Sequence, residues 1–427
     1  MLRGPLFRHP AFLKFWAGQT ISVFGDAITL LALPLTAVLT LHASAAQMGL
    51  LTAAGLAPHL ALSLFAGVWI DRRRRRRRIM VAADIGRAAL LAWVPLAAAF
   101  DAVSLAQLYA VALAAGVLTV FFDLAYSSLF VLLVPRDHVI DANSKLSLSR
   151  SVSWIGGPPL AGALVQLLTA PFALVADAAS FLASALLLGR ISVDEPEVEH
   201  VEGEGLRRRL GDGFRFVVHQ PILRSSLACV ATINLFNFAF YAIFVLYVTR
   251  ELGIRPGLLG AILGVGALGA ALGALVAPRV ERWLGIGPCY LVGTILFPAP
   301  LVLVPLAGGP RPLVVLMLGA AEFLSGIGVM LLDVPGNALS VLLTPYRIRS
   351  RVYGTQRFVN YGIRPLGALL GGTLGSAIGL RPTLWMATLG ACAGFLWLLA
   401  SLEAGTENRR VSVPALSRVS TAVTVTW

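Results

Sequence analysis

Seven consecutive arginines, Arg72 to Arg78, stand between two long apolar segments, residues 46–70 and 79–100. In a polar chain such a run suggests a nucleic-acid or targeting patch. Here only a few residues separate it from apolar sequence on either side. Moving seven guanidinium groups through hydrocarbon is costly. A short loop this basic therefore stays on the cytoplasmic face and orients the helices beside it. One loop thus constrains solvent, orientation and architecture together.

Composition agrees. Only 13% of the residues are charged and 57% are hydrophobic, where a soluble domain carries about 25% charged residues. Lipid, not water, is the main solvent. The net charge of +13 sits in short loops and forms no nucleic-acid surface. Cys229, Cys289 and Cys392 are solitary and read as buried thiols, with no disulfide framework or metal-binding pair. Arg3, Arg8 and Lys14 lead into a segment too long for a signal peptide, which reads as an uncleaved first span.

A spanning helix needs about 20 mostly apolar residues. Twelve segments qualify: 12–40, 46–70, 79–100, 103–134, 147–169, 172–189, 226–248, 257–278, 287–306, 313–343, 357–378 and 383–402. Segments 147–169 and 357–378 are the weakest, being rich in glycine and polar residues. With the N-terminus inside, 28 of the 34 basic residues fall in cytoplasmic loops or tails and four outside; Arg87 and Arg364 lie within spans. An extra or missing span would invert half of that pattern, so twelve spans with both termini cytoplasmic are expected.

The longest hydrophilic stretch, 190–224, divides the spans six plus six. It holds an acidic piece, then Leu206, Leu210, Phe214 and Val217/Val218 at helical spacing opposite arginines, which predicts an interfacial amphipathic helix. Expected boundaries are an N-terminal bundle over 1–190, a linker over 191–224, a C-terminal bundle over 225–402 and a disordered tail over 403–427. Residues 116–135 align without gaps to 326–345, with Gly116/Gly326, Asp123/Asp333 and Pro135/Pro345 identical. After a four-residue shift, Gly156, Pro159 and Leu160 align with Gly362, Pro365 and Leu366. The fold class is therefore an all-α polytopic membrane protein of two pseudo-repeated six-helix bundles. Parallel repeats of this kind suit a rocking transporter with its site at the interface of the halves.

Across residues 8–402 the chain resembles the major facilitator superfamily. Gly67-x-x-x-Asp71-Arg72-x-x-Arg75-Arg76 is similar to the family's loop 2–3 motif, with Arg74 where a glycine is usual. The resemblance implies that this motif latches the outward-open state. Gly157-Pro158-Pro159-Leu160-Ala161-Gly162 resembles the exporter and antiporter element of helix 5, where glycines permit close approach to span 8. Phe15-Trp16-x-Gly18-Gln19, Gly25-Asp26, Pro135-Arg136-Asp137 and Ala142-Asn143 resemble the third drug:proton antiporter subgroup, which includes macrolide-efflux and enterobactin-exporter-like proteins. Span 4 lacks the Arg-x-x-Gln-Gly motif of other drug antiporters.

Ionisable groups inside spans are expensive and suggest function. The candidates for proton coupling or for lining a substrate cavity are Asp26, Glu322, Asp123, Asp333, Asp177 and His59. Asp26 leads: it is mid-span with no lysine or arginine within a turn. Asp123 and Asp333 occupy matching repeat positions, which favours a structural role such as pairing with motif arginines. Asp177 is placed to face water. Asp84 and Arg87, three apart, read as a structural pair. Arg364 is placed to approach Asp71 or to snorkel. Gly264-x-Gly266-x-x-Gly269 matches a dinucleotide fingerprint, but inside an apolar span it reads as helix packing.

The resemblance implies a secondary active exporter of amphipathic organic compounds, not an enzyme, in the bacterial cytoplasmic membrane, driven by protons. A dedicated siderophore exporter and a non-transporting sensor or assembly partner are the alternatives. Expected partners are a small-molecule substrate, protons and the bilayer, without nucleic acid. No cofactor or metal is expected, and the chain is expected to be a monomer.

Overall fold

The computed structural model describes residues 9–71, 75–193 and 206–399, with no side-chain description for 63–71, 136 and 206–210. All regular structure in the described residues is helical. The helices are α1 (Pro10–Leu35), α2 (Ala45–Asp71), α3 (Arg76–Ala99), α4 (Leu105–Leu133), α5 (Val139–Leu168), α6 (Ala170–Gly189), α7 (Leu206–His219), α8 (Pro221–Arg250), α9 (Pro256–Leu284), α10 (Ile286–Leu296), α11 (Leu303–Leu306), α12 (Arg311–Leu343), α13 (Arg349–Ile378) and α14 (Leu380–Ala393). Every predicted span has its helix. α10 and α11 jointly form one span, broken at Pro298 and Pro300, which cannot donate to a helical ladder. In the hydrocarbon layer only helices satisfy every backbone polar group internally. Local chemistry sets the ends. Pro10 opens α1 at a position whose N–H would be unpaired anyway. The Ser104 side chain caps α4 by accepting from the Gln107 N–H at 3.2 Å.

Among the described residues, ten spans are both long and apolar enough to cross a membrane on composition alone. The two that are not, α5 and α13, cover the two weakest segments of the sequence. Each is 30 residues long and starts eight residues before its predicted edge. The added turns carry Asp141, Lys145, Arg349 and Arg351, so hydropathy alone hides them. Leu30, Leu96, Val131, Leu167, Leu186, Leu275 and Leu316 are more than half exposed, as expected of side chains that meet acyl chains.

The repeat is more regular than the sequence suggested. α4 and α12 end at Leu133 and Leu343. The 3-10 turns that follow end at His138 and Ile348, and α5 and α13 end at Leu168 and Ile378. Each pair is 210 positions apart. The four-residue shift is therefore wrong: Gly162, not Gly156, is matched by a glycine of the other half, Gly372. The Pro159/Pro365 match is a coincidence of proline-rich helices. Further toward the N-terminus the offset is 211. The Leu41 N–H donates to the Thr36 carbonyl at 3.3 Å, and the Leu252 N–H to Tyr247 at 3.3 Å. His42 (φ 51°) and Gly253 (φ 62°) close the same turn.

By contacts the chain forms two units: Met1–Gly203 with Ala242–Gly264 and Ala368–Leu380, and Glu204–Tyr241 with Val265–Gly367 and Arg381–Trp427. In the first unit α1 packs on α5 and α6, α3 on α4 and α6, and α2 on α4. Gly49 meets Gly372 and Gly162 meets Gly260, where an added Cβ would lie 2.7 and 3.1 Å from the facing Cα. In the second unit α10 packs on α12. Gly266, Gly269 and Gly273 of α9 lie against Glu322, Phe323 and Ile327, so the glycine fingerprint is helix packing. α7 is a helix as predicted, but Val217 is buried with Leu223 and Val352, and Asp212 pairs with Arg351 at 2.6 Å. Part of its apolar face thus meets α13, not lipid. Cys229 and Cys289 are buried; Cys392 is only partly so.

Candidate functional site

Two clusters of ionisable residues lie along the long apolar helices, one in each unit. The first is built from α1, α3, α4 and α6. Gly25 lets α6 come so close that a Cβ there would overlap Asp177 and Ser180. Asp177 is fully buried. It accepts hydrogen bonds from Thr29 Oγ1 and from Ser180 Oγ, the latter at 2.9 Å. It does not face water, contrary to expectation. The reason is geometric: a glycine on α1 opens a slot into which α6 presents a short acidic side chain. Next to Gly25, Asp26 is exposed at the middle of α1. Asp123 of α4 is exposed too, and the two carboxyls are within electrostatic range.

Asp84 and Arg87 of α3 form a buried ion pair, 0% and 3% exposed. The Arg87 guanidinium carbon lies 4.4 Å from the Phe122 ring centroid on α4 and 4.1 Å from that of Phe181 on α6. Two aromatic faces thereby hold a cation where water is scarce. Arg87 Nε is buried without a hydrogen-bond partner among the described residues. The i,i+3 spacing revealed this pair; nothing in the sequence revealed its aromatic clamp or its nearness to Asp26.

The second cluster is smaller. Glu322 of α12 is 6% exposed, and the Tyr241 hydroxyl lies 3.1 and 3.3 Å from its two oxygens. One hydroxyl donates one proton, so only one oxygen is bonded to it at a time. Gly266 makes room: a Cβ there would lie 3.1 Å from that of Glu322. Tyr241, absent from the sequence reading, is 81 positions from its partner, and no local pattern announces it. Asp333 is exposed on α12 within electrostatic range of Arg364. Arg364 stacks over Tyr361 at 4.3 Å and Phe238 at 5.1 Å; the Asp71 side chain expected as its partner lies outside the described side chains.

The remaining candidates are dispersed. His59 is half-buried on α2. Of the loop 2–3 motif, Arg72 lies outside the described residues and the side chains of Gly67 and Asp71 outside the described side chains; Arg75 precedes α3 without a side-chain capping hydrogen bond and Arg76 opens the helix. In the helix 5 motif, Gly157 faces Ala27 of α1, Pro158 offers its carbonyl toward Gly260, and Gly162 faces α9. No cluster of metal-binding side chains occurs among the described residues.

A family model described as Major Facilitator Superfamily matches residues 15–364. The chain belongs to the major facilitator superfamily. It is similar to the "Multidrug efflux pump Tap" of Mycolicibacterium fortuitum, 28% identical over 93% of this chain and 98% of that protein. It is also similar to the "Uncharacterized MFS-type transporter YfiS" of Bacillus subtilis, 27% identical over 88% and 89%. Solved structures of like fold include a point mutant of the nucleoside transporter NupG, TM-score 0.75 at 11% identity over 92% of this chain and 99% of that one. A bacterial homologue of the iron transporter ferroportin, in an inward-facing state, gives 0.75 at 17% over 93% and 99%. The protein is thus a multi-pass membrane transporter of small molecules, with sequence motifs like those of drug:proton antiporters.

Proposed function

We propose that this superfamily member exports amphipathic organic compounds from the cytoplasm by alternating access, in exchange for protons, and that Asp26 is the exchanging carboxyl. The observation that carries the reading is a carboxyl exposed midway along a spanning helix, where an ion would otherwise be prohibitively costly. Such a group is stable there if it lines an aqueous path and loses its charge during part of the cycle. Export as the direction, and drug-like compounds as the substrate class, rest on the name of the Tap relatives and on the helix 5 element. Both termini and the 190–224 loop are assigned to the cytoplasm by the distribution of basic residues, with the halves 1–190 and 225–402 as the moving bodies of a monomer. Glu322, buried beside one hydroxyl, suits contact with a cationic substrate. Asp71 and the arginines after it are assigned to the outward-open latch.

Proteoliposomes under an imposed proton gradient test the reading, with ethidium as the fluorescent amphipathic cation. Asp26→Asn is expected to abolish accumulation against the gradient while downhill equilibration persists. Uphill accumulation at the original rate by Asp26→Asn would sink the assignment.

A further inference from the structure

Glu322 and Arg364 are opposite charges in the second unit, and neither is ion-paired among the described residues. Glu322 meets only the Tyr241 hydroxyl. Arg364 meets the faces of Tyr361 and Phe238, while Asp333 stays beyond ion-pair distance. Arg87 is likewise held between two rings, but it has its carboxylate. Helix α8 links the two unpaired groups. Asn234, Asn237, Phe238 and Tyr241 lie on one of its faces, at helical spacing. Asn234 Nδ2 is 3.5 Å from Asn360 Oδ1, one turn before Arg364 on α13. Gly367 draws α13 close: an added Cβ there would lie 2.2 Å from the Leu235 carbonyl oxygen. The α8 face thus meets Arg364 at Phe238 and Glu322 at Tyr241. Those two contacts are about 4.5 Å apart along the helix axis.

We infer that this seam of α8, α12 and α13 is a substrate subsite for zwitterions. Glu322 takes the cationic group, Arg364 takes a carboxylate, and the rings of Phe238 and Tyr241 take the apolar body between them. The inference rests on the proposed transport of amphipathic organic compounds and narrows their class. Three features carry it. Charges in a poorly hydrated site are costly unless paired, and here two opposite ones are held apart, so a ligand bearing both signs satisfies both at once. Rings on the guanidinium faces leave its edge donors for a planar anion, and Arg364 Nε is buried without a hydrogen-bond partner among the described residues. Asn237 Oδ1, on the same α8 face, is also buried without one, an acceptor for a ligand N–H. A ligand that is only a cation needs Glu322 alone. Arg364 therefore sets the preference for a zwitterion over its uncharged ester.

The experiment is a fluorescence-anisotropy titration of the purified full chain in lipid nanodiscs, with empty nanodiscs as blank. The probes are rhodamine B, a zwitterion, and its methyl ester, a cation only. Wild type is expected to bind the zwitterion about tenfold more tightly, the scale of one hydrogen bond to a charged group. Arg364→Gln should erase that preference by weakening the zwitterion alone, and its unchanged ester binding shows that it folds. Arg364→Lys, which keeps the charge but not the planar fork, should retain part of the preference and serves where Arg364→Gln does not fold. Glu322→Gln should weaken both dyes. Equal wild-type affinities for the two dyes, or an equal loss of both in the Arg364 variants, overturn this inference and leave the export reading intact. Failure of wild type to bind either dye overturns the amphipathic-compound reading, and this inference with it.

Discussion

The two halves of the chain share a backbone and differ in charge. Offsets of 211 and then 210 residues carry most of one half onto the other, although α3 is continuous where its counterpart is broken into α10 and α11. Yet Arg87 corresponds to Phe297, Asp84 to Thr294, Asp177 to Ala387 and Asp26 to Asn237. Conversely, Glu322 corresponds to Ala112 and Tyr241 to Leu30. Packing is inverted too. Small Gly25 on α1 meets Ser180 on α6, whereas at the matching places bulky Phe236 on α8 meets Gly390 on α14. Backbone hydrogen bonds and helix lengths obey the bilayer, which is the same for both halves. Charge has no such common constraint, so each half is free to place it where chemistry requires.

The largest expected effect tests the charged half. Arg87→Met strands Asp84 and should cost about 3–5 kcal/mol of stability, whereas the joint change Asp84→Asn/Arg87→Met should recover most of it. Thermal unfolding in detergent checks both; an equal loss in the two variants would mean that the pair contributes shape, not charge. Next come the inverted contacts. Gly25→Val forces α1 from α6 and Gly390→Val forces α14 from α8, each costing about 1–3 kcal/mol from overpacking. Only Gly25→Val should also impair coupled transport, because it displaces Asp177 and adjoins Asp26. Equal loss of transport in both would break the division of labour between halves.

Tyr241→Phe tests the other cluster. It removes the hydroxyl facing Glu322 and should cost about 1–3 kcal/mol, the penalty for an unsatisfied buried polar group. Glu322→Gln, which can still accept from the hydroxyl, should cost less. The order of the two unfolding temperatures decides the point. The smallest effect concerns the turn before α6. Thr169 has φ 74° and ψ 161°, and its counterpart Gly379 has φ 93°. That region is nearly reserved for glycine; the strain of a side chain there is partly offset by glycine's greater loss of chain freedom on folding, leaving a net effect of about 1 kcal/mol. Thr169→Gly should therefore raise the unfolding temperature and Gly379→Thr lower it.

Much of this was legible in the sequence, because the bilayer imposes simple rules. Apolar runs of spanning length located ten spans, all twelve expected segments fall on helices, and the match of Asp123 with Asp333 announced the repeat. The amphipathic pattern of α7 located a helix but not its partner, since Arg351 and Val352 are more than a hundred positions away. The register of α5 on α13 was misread because prolines and glycines recur in both helices at more than one alignment. Arg87 and Glu322 were identifiable as costly charges. Their neighbours were not, since Tyr241, Phe122 and Phe181 are ordinary apolar or aromatic members of apolar spans.

The sequence by itself determined that this chain is helical, crosses the bilayer and repeats, because hydropathy and charge act on each segment almost independently of the others. Only the tertiary structure decided that Asp177 enters the slot beside Gly25, that Arg87 lies between two rings, and that Glu322 meets Tyr241. Those contacts join helices distant in the chain, and their existence depends on close approach that no single segment encodes.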